Sequence, residues 1–257
     1  MGVEDVVGSI NRTTRCRTHF HHHDWPLVKK NELKPFQQKQ WVIPADKSAA
    51  FVYQMEQVLA VYERPYDARF PVVWMDESPK QLLDYKEFTG KSGRKYIDSE
   101  YIRRGVVELF VATEPLVGLR TLTVEENHNS ATWVKFIANL MDTAYKNATK
   151  VTWVMDNLST HKLSFFYEYF PPQRAKEYID RMEIVYTPAH GSWLNMAEIE
   201  FSVFTRQELD RPFANKEQVR EVAEKWMSKQ NKKTKKINWQ FKAADARIRL
   251  TRLYPTI

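Results

Sequence analysis

Two short runs constrain this chain more than any other feature. In "VVWMD", residues 72–76, and again in "VTWVMD", residues 151–156, a stretch of apolar, mostly β-branched or aromatic side chains stops on a carboxylate. Such runs favour strands buried on both faces, the kind found inside a sheet covered by helices. One acid at the end of such a strand is readily explained as a cap for the turn that follows, and Asp156 alone carries that reading. Two acids in the same context raise a second one: if the strands are neighbours, Asp76 and Asp156 face each other across the end of a sheet.

The remaining pattern supplies elements for that sheet. Phe51, Val52, Met55, Val58, Leu59 and Tyr62 share one helical face. The first acid-tipped strand is expected to stop at Pro79, and "VVELFVATEP" and "LVGLRTLTVEE" read as two strands of a meander turning at Glu114 and Pro115. Trp133, Phe136, Ile137, Leu140, Met141 and Ala144 form a helical stripe capped by Asn129 or Ser130. After the strand at 151–155 come helical pieces over 163–169 and 173–182, separated by Pro171 and Pro172. A strand in "MEIVYTP" and helices over 195–209 and 216–229 follow. This mixed order predicts an α/β fold, one mixed sheet with helices on its faces.

With 257 residues, of which 43% are hydrophobic and 13% aromatic, the chain can enclose a substantial core. Its apolar runs stop well short of the ~18 residues of a membrane span, and no secretory pattern opens it. A cytoplasmic protein with no membrane partner is therefore expected. The lone Cys16 excludes an internal disulfide and a cysteine-based zinc site. Charge is concentrated near the C-terminus. Lys225, Lys229, Lys232, Lys233, Lys235, Lys236, Lys242, Arg247, Arg249 and Arg252 meet a single acid, Asp245. With Trp226, Trp239 and Phe241 interleaved, the segment suits a nucleic acid, because cations displace phosphate counterions and aromatic faces stack on bases. A solvated helix face is the plainer alternative. Residues 1–27, with His19, His21, His22 and His23, show no periodicity and read as an unstructured or foreign segment without a metal site. Residues 28–47 read as a basic linker. "TGKSGRKY" contains Gly-Lys-Ser, but Tyr85 stands where a phosphate-binding loop needs its first glycine.

A third acid follows "MEIVYTP". Glu198 and Glu200 lie near the start of a helix, and two positions turn through ~200°, so only one can point toward the strand ends. Three converging carboxylates suit hard divalent cations such as Mg²⁺ or Mn²⁺. Two such ions roughly 3.5–4 Å apart can activate an attacking oxygen and stabilise a leaving one in phosphoryl displacement.

Taken together, "VVWMDESPKQL", "VMDNLSTHK" and "HGSWLNMAEIEF" resemble the catalytic domain of bacterial insertion-sequence transposases related to the mariner group, in the DDE superfamily. The resemblance runs from about residue 28 to at least residue 211. It implies an RNase H-like five-stranded sheet, cleavage and strand transfer of double-stranded DNA, a nucleoid-associated location and a homodimer when active. It also implies two Mg²⁺ or Mn²⁺ ions on Asp76, Asp156 and Glu198, with Glu200 as an outward-facing neighbour. Asn157 and His161 would order the metal site or contact DNA, with a capping role open for Asn157. His190, Trp193 and Asn195 would shape the pocket, with core packing equally open for Trp193. Glu77 would support the site or lie on the surface. The interval from Asp156 to Glu198 is longer than in eukaryotic mariner relatives, and the excess is assigned to a surface loop at "EYFPPQRAKEYID". No helix-turn-helix module is visible in residues 1–27, so a truncated copy is expected. On this reading residues 48–215 form the catalytic domain, and 216–257 a C-terminal helix and basic segment. Two alternatives stay open: a catalytically silent remnant that binds DNA non-specifically, and a nuclease acting on RNA or hybrid duplexes.

Overall fold

The computed structural model describes residues 48–237 and 239–256. The expectations for residues 1–47 lie outside the described residues.

Five strands form one sheet: β1 (Val72–Thr89), β2 (Lys95–Glu114), β3 (Leu119–Glu125), β4 (Val151–Met155) and β5 (Met182–Tyr186), in the order β3-β2-β1-β4-β5. The β1–β2 and β2–β3 pairs are antiparallel, whereas β4 runs parallel to both β1 and β5. The meander is joined by short turns. The parallel strands need crossovers, and the helices supply them.

Seven α-helices accompany the sheet among the described residues: α1 (Ala49–Tyr62), α2 (Ser130–Asp142), α3 (Phe166–Tyr169), α4 (Pro172–Asp180), α5 (Met196–Phe204), α6 (Lys216–Lys233) and α7 (Ala243–Arg249). Their starts follow capping chemistry. Ser48, Asn129, Asn195 and Asn215 each accept a hydrogen bond from a backbone N–H in the first turn of α1, α2, α5 and α6, satisfying donors that a helix start leaves unpaired. A π-helical segment, Thr205–Leu209, continues α5.

Strand alternation sorts the core into two layers. From β1, Val72 and Trp74 join a cluster with α1, α5 and α6, while Val73 and Met75 face α2, α3 and α4 on the other side. From β4, Val154 joins the first layer, and Val151, Trp153 and Met155 the second. The central strands are thus covered on both faces, as their unbroken apolar runs require. Each fully buried large side chain contributes ~1.5–3 kcal/mol of transfer free energy.

Several local expectations are revised. Pro79 does not end β1, which continues to Thr89 opposite β2. β4 pairs with β1 only over Val72–Trp74, so Pro79 lies where no second strand pairs with β1, the setting in which a strand tolerates proline; farther on, the Leu83 N–H donates to the Phe213 carbonyl at 2.8 Å. The outer halves of β1 and β2 form a two-stranded ribbon with Phe88, Tyr96, Ile97 and Tyr101 exposed. "TGKSGRKY" is its tip, turning at Gly93 with φ +77°. Pro172 does not separate two helices but opens α4, where its missing N–H costs nothing. The "EYFPPQRAKEYID" stretch is a packed layer rather than a surface loop, with Ala175 and Tyr178 buried in the second cluster.

The aromatics of the C-terminal segment are structural. Trp226 is buried against Phe204, Trp239 stacks on Tyr62 at 4.2 Å between centroids, Tyr62 stacks in turn on Trp74 at 4.6 Å, and Phe241 meets Trp193 edge-on. These rings serve the core instead of offering faces to bases.

Candidate active site

Parity along the strands decides which acids meet. Asp76 follows Val72 and Trp74 in register on β1, and Asp156 follows Val154 on β4, so both carboxylates belong to the face covered by α1 and α5. The parallel pairing of β1 with β4 sets the two strand ends side by side. Glu198 arrives from the first turn of α5. All three acids line one cleft of 420 Å³, and none of the described residues lining it is a lysine or arginine.

Asn195 fixes the approach of α5. Its Oδ1 accepts from Ala197 N–H at 3.1 Å, while its Nδ2 donates to the Met75 carbonyl at 3.3 Å. One buried amide thus caps the helix carrying Glu198 and ties it to the strand residue preceding Asp76. The Tyr62 hydroxyl donates to Leu194 O at 2.6 Å and holds the same turn to α1.

No described lysine or arginine lines the cleft to balance these acids. Burial pushes the Asp76 carboxyl up to about 8; a hydrogen bond from Glu77 N–H at 2.9 Å opposes the shift, and the charges of Glu77, Asp156 and Glu198 add to it. Burial also raises Glu198, against a hydrogen bond from Ser192 and with help from the charge of Asp156. Hard oxygen donors that repel one another fit a divalent cation, which would relieve the repulsion.

The neighbouring residues take distinct roles. His161 is fully buried and packs on Trp133 at 5.3 Å between centroids. Its Nε2 lies 2.7 Å from Glu77 Oε1, and its Nδ1 lies 2.9 Å from Asp156 Oδ1 and 3.2 Å from the Asp156 carbonyl. Burial alone would lower its pKa, but the bonds to Asp156 and Glu77 outweigh burial and push the imidazole up to about 10. Glu77, Asp156 and His161 are also the one group of ligand atoms clustered tightly enough to suggest a metal among the described residues. With the ring between the two carboxylates and each nitrogen engaged, the arrangement is a charged bridge. His161 is out of reach of DNA.

Asn157 and His190 line the cleft. His190 has φ +60°, and at Gly191 an added Cβ would lie 2.5 Å from Pro188 Cγ, so this turn demands glycine. Trp193 packs against the core and is not among the residues that line the cleft. Gln54 of α1 and Ser192 also line it. Neither was legible in the sequence, since a lone amide beside an apolar stripe or a serine in a turn has no spacing signal.

Glu200 is not outward-facing. It is buried on the opposite side of α5, its Oε2 and Oε1 2.9 and 3.1 Å from Arg120 Nε and Nη2. Asn231 of α6 adds reciprocal bonds to the Arg120 backbone at 3.0 and 2.8 Å. Among the basic residues, Lys225, Lys229, Lys232 and Lys233 line a groove along α6. Lys235, Lys236 and Arg249 are exposed. Arg247 is instead engaged by Glu56, at 2.9 and 2.7 Å, and ties α7 to α1.

Residues 71–220 match the model of a family described as DDE superfamily endonuclease. No curated protein matches the chain in sequence. Among solved structures, the mariner Mos1 paired-end complex with Mg aligns over 91% of this chain and 72% of its own, at 14% identity and a TM-score of 0.50. The Mos1 mariner paired-end complex with Mn aligns over 82% and 67%, at 15% identity and a TM-score of 0.48. The chain thus spans about two thirds of the length of such chains. The likeness at 0.50 is one of fold: a mixed five-stranded sheet of the RNase H-like kind.

Proposed function

The chain belongs to the DDE superfamily of endonucleases, and from that premise we propose that it is the catalytic part of a transposase, cutting and joining double-stranded DNA with divalent cations held by Asp76, Asp156 and Glu198. The supporting observation is that these three carboxylates, from β1, β4 and α5, line one cleft without a lysine or arginine among its described lining residues. Residues 48–215 carry the reaction, and 216–257 form a basic layer that engages the DNA backbone through Lys225, Lys229, Lys232, Lys233, Lys235, Lys236 and Arg249. The active form in this proposal is a homodimer acting on transposon ends; a structure of similar fold is described as a paired-end complex.

Bound Mg²⁺ or Mn²⁺, two ions in this proposal, would supply Lewis-acid activation of the attacking oxygen and charge neutralisation at the leaving one. Asp76 holds a proton near neutral pH, which must leave before its carboxylate can serve as a ligand. Asn195 keeps Glu198 aligned with β1. His190 and Asn157 offer polar contacts to the nucleotides flanking the scissile phosphate. In cleavage a water oxygen bonds to phosphorus, the phosphorus–O3′ ester bond breaks, and the departing oxygen takes a proton. This leaves a 3′-hydroxyl and a 5′-phosphate. In joining, a DNA 3′-hydroxyl replaces water as nucleophile. No covalent protein intermediate is required.

Nicking of supercoiled plasmid tests the reading. Activity is expected with Mg²⁺ or Mn²⁺, and its loss with chelator or in Asp156→Asn. Metal-dependent nicking that survives in Asp156→Asn would overturn the assignment. Preference for an RNA–DNA hybrid over matched DNA would shift the substrate class.

A further inference from the structure

The two oxygens of Asp156 stand in different environments. Oδ1 is buried and lies 2.9 Å from His161 Nδ1, an ion-pair contact beside the Nδ1 hydrogen bond to the Asp156 carbonyl at 3.2 Å, yet the side chain as a whole is 41% exposed. The exposure therefore belongs to the Oδ2 side, which opens on the cleft. His161 cannot turn away: its ring is 0% exposed, stacked on Trp133, and held at Nε2 by Glu77 at 2.7 Å. Tyr186 donates to the His161 carbonyl at 2.7 Å and fixes its backbone. Glu77, pointing to the opposite face of β1 from Asp76, is 94% buried as a side chain, and its second oxygen has no hydrogen-bond partner among the described residues. The bridge thus links strand β1 to the tip of β4 from beneath the cleft.

We infer that His161, braced by Glu77, is a positioning residue that occupies Asp156 Oδ1 and presents Oδ2 alone to the cation, so that Asp156 binds metal through one oxygen. The inference rests on the assignment of Asp156 as a metal ligand. Imidazoles and carboxylates behind a ligand set its orientation, and their loss typically costs 10–100-fold in metal affinity. A carboxylate freed to swing could bind through both oxygens or turn from the site, and either would displace the ion from Asp76 and Glu198.

The test compares two substitutions that remove the ring equally but keep different ends of the bridge. The amide of Asn approximates Nδ1 and reaches Asp156, whereas the amide of Gln approximates Nε2 and reaches Glu77. Mn²⁺ binding to the full chain is measured by the paramagnetic resonance signal of free Mn²⁺ for wild type, His161→Asn, His161→Gln and Asp156→Asn, below the melting midpoint of each. His161→Asn is expected to bind within a few-fold of wild type and His161→Gln 10–100-fold more weakly. Loss of the Trp133 stack is common to both and cancels. Equal affinities for the two variants would overturn the inference. Wild-type Mn²⁺ affinity in Asp156→Asn would remove instead the ligand assignment beneath it, a separate outcome.

Discussion

Glu198 and Glu200 stand two residues apart on α5 and face opposite fates. Glu200 points into the protein and meets the guanidinium of Arg120 with both oxygens. Glu198 points into the cleft among Asp76 and Asp156, where burial raises its pKa and no described lysine or arginine answers it. The first arrangement is closed, with charge balanced inside the protein; in the second only the buried His161, behind Asp156, offsets three acids, so balance needs further positive charge to enter. That contrast separates a structural acid from a functional one more reliably than burial, because both are partly removed from water.

The comparison can be broken most forcefully at Arg120. Replacing it by alanine leaves Glu200 buried and unpaired, and the cost in a urea unfolding experiment should be about 3–5 kcal/mol. Glu198→Gln should leave metal-free stability equal or improved, because it removes a charge that repels its neighbours. A large loss in Glu198→Gln and none in Arg120→Ala would invert the assignment of the two acids.

Cation binding sharpens the same contrast. Mn²⁺ at a hundredfold excess over its dissociation constant should stabilise the wild-type fold by about 2.7 kcal/mol, seen as a rise in melting midpoint. Asp76→Asn, Asp156→Asn and Glu198→Gln should each lose most of that rise.

The pH dependence in chelator has a definite sign. The Asp76 carboxyl sits at about 8 in the fold against an ordinary aspartate value of 3.8, so the folded state binds this proton more tightly than the unfolded chain. Its contribution is fully present below pH ~4 and is lost as pH rises toward 8. Asp76→Asn should flatten that fall in unfolding free energies measured between pH 5 and 8. An identical slope in the variant would contradict the shift.

Lys229→Glu and Lys232→Glu on α6 should change least. Each should weaken binding to arbitrary duplex and reduce the salt slope by about one unit for each lost phosphate contact, while Mn²⁺ affinity stays at the wild-type value.

The strands and their acids were legible because a strand buried on both faces leaves an unbroken apolar run, and because Asp76 and Asp156 interrupt two such runs in the same way. The start of α2 was legible because Asn129 caps it. What the sequence hid depended on distant partners. The persistence of β1 through Pro79 follows from an edge that only the sheet order reveals. The direction of Glu200 follows from Arg120, 80 residues earlier on β3. Trp226, Trp239 and Phe241 share a segment with ten cations and read as a nucleic-acid surface, yet pairings with Phe204, Tyr62 and Trp193 draw them inward. His161 was placed near the acid by motif, but its bridge to Glu77 needs β1 and β4 to be neighbours.

The most direct test of the central claim is an anomalous difference map from a crystal soaked in Mn²⁺ at a pH above 8, where Asp76 is ionised. The account predicts manganese peaks in the cleft between Asp76, Asp156 Oδ2 and Glu198, with the His161 bridge unmetallated. A cleft without a peak, or a peak seated among Glu77, Asp156 and His161, would contradict it.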